Sequence, residues 1–217
     1  MYKFKAKKYF YSCLLLVFLL SNAPVLLAQR IVDSGVQSAG FRFSTDKAAA
    51  VPIIHYQQNI QMLSGVDDRP SLKVFGSGRV VVHYPAYMKK AGDYEMQLSI
   101  VELVALIHSL SSNGIMDFDE KKITDKIKID KKASIKKGEY YKVSDSVESV
   151  VDIRLDEYQK NTASVKLKGF SKHFKWKNIE HDAIRFKNVS EVARANLSIV
   201  HLKALMKDAR LVKRVQR

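Results

Sequence analysis

The chain has 217 residues, 37 Lys and Arg against 22 Asp and Glu, a formal charge of +15, 47% hydrophobic residues and one cysteine. That apolar content is too high for a mainly disordered chain, nine glycines exclude a collagen-like repeat, and one cysteine excludes a disulfide scaffold. One packed domain or two small ones is the expectation.

Met1 to Lys8 carries Lys3, Lys5, Lys7 and Lys8 with no acid, Cys13 to Leu20 is uninterrupted apolar, and Ala28 precedes Gln29 and Arg30. This is the plan of a secretory signal peptide over residues 1–28, cleaved near Ala28. The apolar run is too short for the roughly 20 residues of a bilayer span. Retention as an uncleaved anchor stays open, because Leu26 is a bulky residue three positions before the cut. Either way the expected location is extracytoplasmic, periplasmic or secreted, with membrane contact limited to the signal peptide or the protein surface. Cleavage removes four lysines and the cysteine, leaving 33 basic residues against 22 acidic ones, a charge of +11. A cysteine-free mature chain has no disulfide, no thiolate metal site and no cysteine nucleophile.

Residues 29–50, with Gly35, Gly40 and the run Ala48 to Ala50, read as a flexible leader. From Ile54 the even positions Ile54, Tyr56, Ile60 and Met62 are apolar and Gln57, Asn59 and Gln61 polar, the period of a half-buried strand. Leu72 and Val74 alternate with Lys73, the chain turns at Gly76-Ser77-Gly78, and Val80 and Val82 alternate with Val81 and His83, predicting a β-hairpin stopped by Pro85. Tyr94, Met96 and Leu98 suggest a third strand over 93–98. Ser99 and Glu102 form an S-x-x-E capping box ahead of the stripe Ile100, Leu103, Val104, Leu106, Ile107 and Leu110, which predicts a helix over about 100–112, closed by Asn113-Gly114. These elements make a first hairpin and helix unit over 51–119.

Residues 120–146 form a lysine-rich connector in which Ile123, Ile127, Ile129 and Ile135 fit neither period, with a short strand at 126–130 as one reading, its lysines deterring edge aggregation. A second hairpin and helix unit over 147–217 begins with Val151, Ile153 and Leu155 in alternation and turns through 158–162. Gly169 shifts the apolar face, because Phe170, Phe174 and Trp176 lie on even positions. A helix from about 188–190 onward carries Lys203, Lys207 and Arg210 toward its end, the favourable sign there. The order of hairpin then helix recurs at 52–114 and 147–210, a ββα echo without residue identity. The expected fold is α+β, an antiparallel sheet built from hairpins with two amphipathic helices packed on one face, with 51–217 as one domain.

The run Ser71 to Val82 with its Gly76-Ser77-Gly78 turn, then Gly92-Asp93-Tyr94-Glu95, Leu98-Ser99, Glu102-Leu103, Gly114 and Phe118, resembles uncharacterised bacterial exported domains with a Gly-turn hairpin and an LS-x-x-EL helix start. Such domains usually carry Asp-Gly at the turn, where this chain has Ser77-Gly78. The resemblance implies an envelope-associated bacterial domain and brings no catalytic residue with it.

The six histidines show no H-x-H, HE-x-x-H or His-x-x-x-His spacing, so no metal or other cofactor is expected. No G-x-S-x-G elbow and no phosphate-binding G-x-x-x-x-G-K occur. Asp117, Asp119 and Glu120 form an acidic cluster without the ligand spacing of a calcium loop. Between Glu157 and Glu180 the chain has six lysines and no acid. On a strand over 170–177, Phe170, Phe174 and Trp176 face one way and His173, Lys175 and Lys177 the other. Lys166, Lys168, His173, Lys175 and Lys177 therefore make a candidate anion-binding face. Base stacking would need the aromatics on the cationic side, which argues against nucleic acid. The leading expectation is a non-enzymatic binding or interaction module of the bacterial envelope engaging an acidic component or a protein partner. The competing one is an exported hydrolase assembled from His55, His83 and distant carboxylates, and a third is a scaffold subunit using the helix at 100–112.

Overall fold

Segments whose apolar residues alternate pair into strands, and those with apolar residues every three or four positions coil into helices. The computed structural model describes residues 30–32, 35–38, 40–60, 68–138 and 146–214, with side chains from Gly40 onward. The signal peptide expected at 1–28 lies outside the described residues, as does Met62. Strands β1 (Arg30–Val32), β2 (Gly35–Ser38), β3 (Phe41–Ser44), β4 (Ile54–Ile60), β5 (Ser71–Val74), β6 (Arg79–Tyr84), β7 (Gly92–Gln97), β8 (Val147–Tyr158), β9 (Leu167–Lys177) and β10 (Val212–Lys213) join in one antiparallel sheet. Among the described residues four helices accompany it: α1 (Ile100–Ser112), α2 (Glu120–Lys136), α3 (Ile179–Arg185) and α4 (Ser190–Met206). The class is α+β, as expected. The two expected helices are α1 and α4, and the buried residues of all four belong to one core with the inner face of the sheet.

Strand β8 is the centre of the sheet. One of its edges pairs with β9 from Glu148 opposite Lys177 to Tyr158 opposite Leu167. The other is shared: β4 takes Val147 to Ile153, and β3 takes Glu157 and Tyr158. Beyond β4 the order runs β5, β6, β7 and β10. The inner rows are apolar across the strands, with Phe174, Val151, Tyr56, Leu72 and Val82 in register and each 0% exposed. Burial pushes the Tyr56 hydroxyl up to about 12, and it accepts a hydrogen bond from Gln58 at 2.8 Å.

The capping box is present as the sequence predicts. Glu102 N–H donates to Ser99 Oγ at 3.2 Å and Ser99 N–H to Glu102 Oε2 at 2.8 Å. The inner stripe of α1, Leu103, Val104, Leu106, Ile107 and Leu110, is buried on the sheet, and Gly114 at φ 75° ends the helix. The first hairpin also forms as expected, Leu72 opposite Val82 and Val74 opposite Val80. Its Gly76 packs so closely on β3 that an added Cβ would lie 1.8 Å from the Ser44 carbonyl oxygen.

Three expectations need correction. The stretch 29–50 is not a leader without structure: it carries β1, β2 and β3, and Phe41 and Phe43 are 4% and 0% exposed in the core. Two alternating aromatics suffice because the β8 edge beyond β4 receives them. Nor is 126–130 a strand, for α2 spans Glu120–Lys136. Asp119 accepts from Lys122 N–H at 3.0 Å to cap it, and only Ile123 and Ile127, one turn apart, are buried. The short helix α3, unforeseen, is tied down by Trp176 Nε1, which donates to Asp182 at 2.9 Å.

At Gly169 no residue is added to the pairing. Leu155 opposite Phe170 and Tyr158 opposite Leu167 keep one-for-one pairing on either side of it. Yet Leu155 and Tyr158, three apart, both face the helices, since Tyr158 meets Ser111 of α1 at 3.2 Å. On the paired strand β9, Gly169 has a φ of 59°, in the left-handed region that favours glycine.

Candidate functional site

The face of the sheet away from the helices is polar, and its residues stand in cross-strand rows. One row runs His173, Asp152, His55, Lys73, Val81, Glu95. The next runs Lys175, Val150, Gln57, Ser71, His83, Asp93. A third starts with Lys177, Glu148 and Asn59, and Arg69 donates to Asn59 at 2.8 Å. These rows follow from the period of two: the residues between the core positions must share the other face.

All five residues of the expected anion-binding face are exposed, but they meet carboxylates of β8. Lys175 pairs with Glu148 at 3.3 Å, His173 with Asp152 at 2.8 Å and Lys166 with Glu157 at 3.1 Å. Lys168 and Lys177 stand directly opposite Glu157 and Glu148. The hydrogen bond from Lys166 holds the Glu157 carboxyl below its ordinary range, with the Lys168 charge adding to it. At Glu148 burial works the other way, but hydrogen bonds from Asn59 and Lys175 still lower it. The β9 cations are thus one side of an ion-pair ladder rather than a bare cationic strip. The hairpin register would have disclosed this from the sequence, since Asp152 and its neighbours alternate on β8.

Lys203, Arg210 and Arg214 of the C-terminal segment are also partnered. Arg210 binds Asp208 at 2.9 Å and Glu102 at 2.8 Å, Arg214 lies 3.3 Å from Glu95, and Lys203 pairs with Glu180. The acidic cluster is likewise spent on the fold. Asp117 accepts from Tyr158 at 3.2 Å, Asp119 caps α2, and Glu120 accepts the Lys175 N–H at 2.8 Å on the free edge of β9.

His55 and His83 line one recess of about 450 Å³ on the polar face, together with Gln57, Asp68, Arg69, Ser71, Lys73, Asp93 and Arg214. They do not act as a pair. His83 has Nδ1 2.6 Å from Asp93 and Nε2 2.6 Å from Asp68. Burial opposes its charge, but the hydrogen bonds to Asp93 and Asp68 prevail and raise its pKa. An imidazolium donating from both nitrogens follows. Ser71 is directly opposite His83, as a nucleophile and base would be, yet no ring nitrogen is left to accept its proton. His55 has the reverse character: burial first, then Lys73 and Arg154, lower its pKa against the pull of Asp152 at 3.8 Å.

The other histidines are dispersed, His108 edge-on to Phe41 at 4.8 Å, His181 beside Asp182, and His201 bonded to Ser109 at 2.6 Å. Among the described residues no group of three His, Cys, Asp or Glu side chains is placed to hold a metal ion, and no helix is long and apolar enough to cross a membrane. A larger cleft of about 850 Å³ opens beyond the end of α1. Its charges are of both signs and include the Asp117 and Lys160 pair at 3.4 Å.

Compared with known proteins, the chain matches no family model, no curated protein and no solved structure.

Proposed function

We propose that this chain is a non-enzymatic binding module of the bacterial cell envelope, exported by its N-terminal segment, that engages an acidic envelope component through the polar face of its sheet. The observation that carries the reading is charge left over on that face. Lys73 and Arg154 form no salt bridge among the described residues, whereas Asp93, Glu148, Asp152 and Glu157 are all engaged. Cations fixed on a stiff sheet and unmatched by carboxylates raise the local potential for anions and speed their capture. The closed state of His83 supports binding over hydrolysis, because both ring nitrogens of the histidine directly opposite Ser71 are taken by carboxylates.

The test is retention of the purified mature chain on vesicles containing phosphatidylglycerol and on a poly(glycerol phosphate) matrix as salt is raised. Retention should fall steeply between about 0.05 and 0.5 M salt as the Debye length shrinks, and Lys73→Glu with Arg154→Glu should abolish it. Retention that ignores both salt and charge reversal overturns the reading. Export is checked by the N-terminal sequence of protein recovered outside the cytoplasm, expected to begin at Gln29.

A further inference from the structure

The recess around Ser71 gathers donors that nothing in the fold engages, and they indicate what would fill it. Ser71 stands at its centre. Arg69, in the loop before β5, and Lys73, on it, flank Ser71 two residues away on either side, and across the strands Gln57 and His83 are its direct neighbours. Asp68 and Asp93, the carboxylates of the recess, are both held by His83, whose imidazolium offsets one of their two charges. Glu95, on the row beyond, is matched by Arg214 at 3.3 Å. In contrast, the Ser71 hydroxyl, the Gln57 amide and the Lys73 ammonium have no hydrogen-bond partner among the described residues. Arg69 spends one N–H on Asn59 and keeps the rest of its fork.

We propose that this recess is a binding site for a phosphoryl group, seated over Ser71 between Lys73 and Arg69 and hydrogen-bonded by Ser71 and Gln57. A tetrahedral oxyanion accepts from every direction and needs donors around it, and it gives the charged guanidinium and ammonium their strongest hydrogen bonds. Arg69, Ser71 and Lys73 line the recess together, so the two cations border the short side chain at 71. His55, on the row of Lys73, borders the site, with Lys73, Asp152 and Arg154 as its charged neighbours and His173 beyond Asp152.

The inference rests on the binding function proposed above, and it is sharper, because it assigns one saturable site rather than a charged surface. Titration of the mature chain with inorganic phosphate by calorimetry, at low salt, should give one site per chain. Lys73→Gln with Arg69→Gln should weaken it at least tenfold, Ser71→Ala by a smaller factor, and Lys168→Gln with Lys177→Gln, cations of the same face away from the recess, should leave it unchanged. If phosphate also displaces the chain from poly(glycerol phosphate) or from phosphatidylglycerol vesicles, the natural ligand is the phosphoryl group of that polymer or lipid. If it binds without displacing either, the ligand is a small phosphate compound. No saturable phosphate binding, or equal binding by the Lys73 and Arg69 variant, overturns the site while salt-sensitive retention keeps the broader function standing. Loss of both overturns both. Far-ultraviolet circular dichroism and the melting temperature of each variant separate lost binding from lost folding.

Discussion

Gly76→Ala is the most severe small change that the fold allows one to specify. The new Cβ would lie 1.8 Å from the Ser44 carbonyl oxygen, 3.0 Å from its carbon and 3.4 Å from the Phe43 ring. A tolerable carbon to oxygen approach is about 3.3 Å, so the end of β3 and the β5–β6 turn must part by roughly 1.5 Å. Neither partner is a flexible side chain. The turn is tied by the Phe75 N–H to the Arg79 carbonyl at 2.9 Å and the Leu98 N–H to the Gly78 carbonyl at 2.9 Å, while β3 is anchored by Phe43 at 0% exposure. Overpacking of this kind costs about 3 kcal/mol. For a domain of this size that lowers the melting temperature by roughly 6–12 °C. Trp176, the chain's one tryptophan and 9% exposed, reports unfolding by its fluorescence. Gly114→Ala is the control: its φ is 75° but nothing lies within 4 Å, so it suffers only left-handed strain of about 1–2 kcal/mol. A Gly76→Ala melt equal to that of Gly114→Ala would refute the close approach of the hairpin to β3.

Phe43→Ala should cost about 3–5 kcal/mol in urea unfolding, as expected of a wholly buried ring; a loss under about 1 kcal/mol would return residues 41–44 to the status of an appendage. Ser99→Ala, which removes one partner of the capping box, should cost about 1 kcal/mol, and Ser99→Asp should restore most of it. His83 gives a pH dependence of definite sign. Its folded pKa is raised above the ordinary 6.5, so its stabilisation is complete below that value and is lost as pH rises through the folded one. His83→Gln should therefore lose more stability near pH 6 than near pH 9, by up to about 1 kcal/mol for so exposed a cluster; the same loss at both pH values would mean that the ring is not charged.

What the sequence disclosed depended on how much of each signal was local. The capping box at Ser99 and Glu102, the glycine turn at 76–78 and the parity of Phe174 and Trp176 are each written within a few residues, and each was legible. Helix α2 was not, because its core contact is two isoleucines on a helix otherwise covered in lysine, and its remaining order comes from Asp119 and from contacts with distant elements such as the Lys126 to Glu191 pair. Strand β3 escaped notice for a related reason. Phe41 and Phe43 are too few to make a period, and their burial depends on an edge of β8 more than 100 residues away. The expected basic face left out its counter-charges. Lysines 166 to 177 are contiguous in sequence, but the carboxylates that meet them belong to the preceding strand and become visible only with the register. The donors around Ser71 come from three strands and a loop, so no sequence window contains them.

The sharing of one β8 edge by β3 and β4 also fixes an order of events during synthesis. Ile54 to Ile60 can close against β5 as soon as the hairpin is made, but its other edge waits for Val147 to Ile153, and β7 waits longer still for Val212 and Lys213. Pairings this remote in sequence form slowly, and an open strand edge in the meantime invites association with other chains. A half-made chain of this design cannot complete its sheet until its last third has emerged.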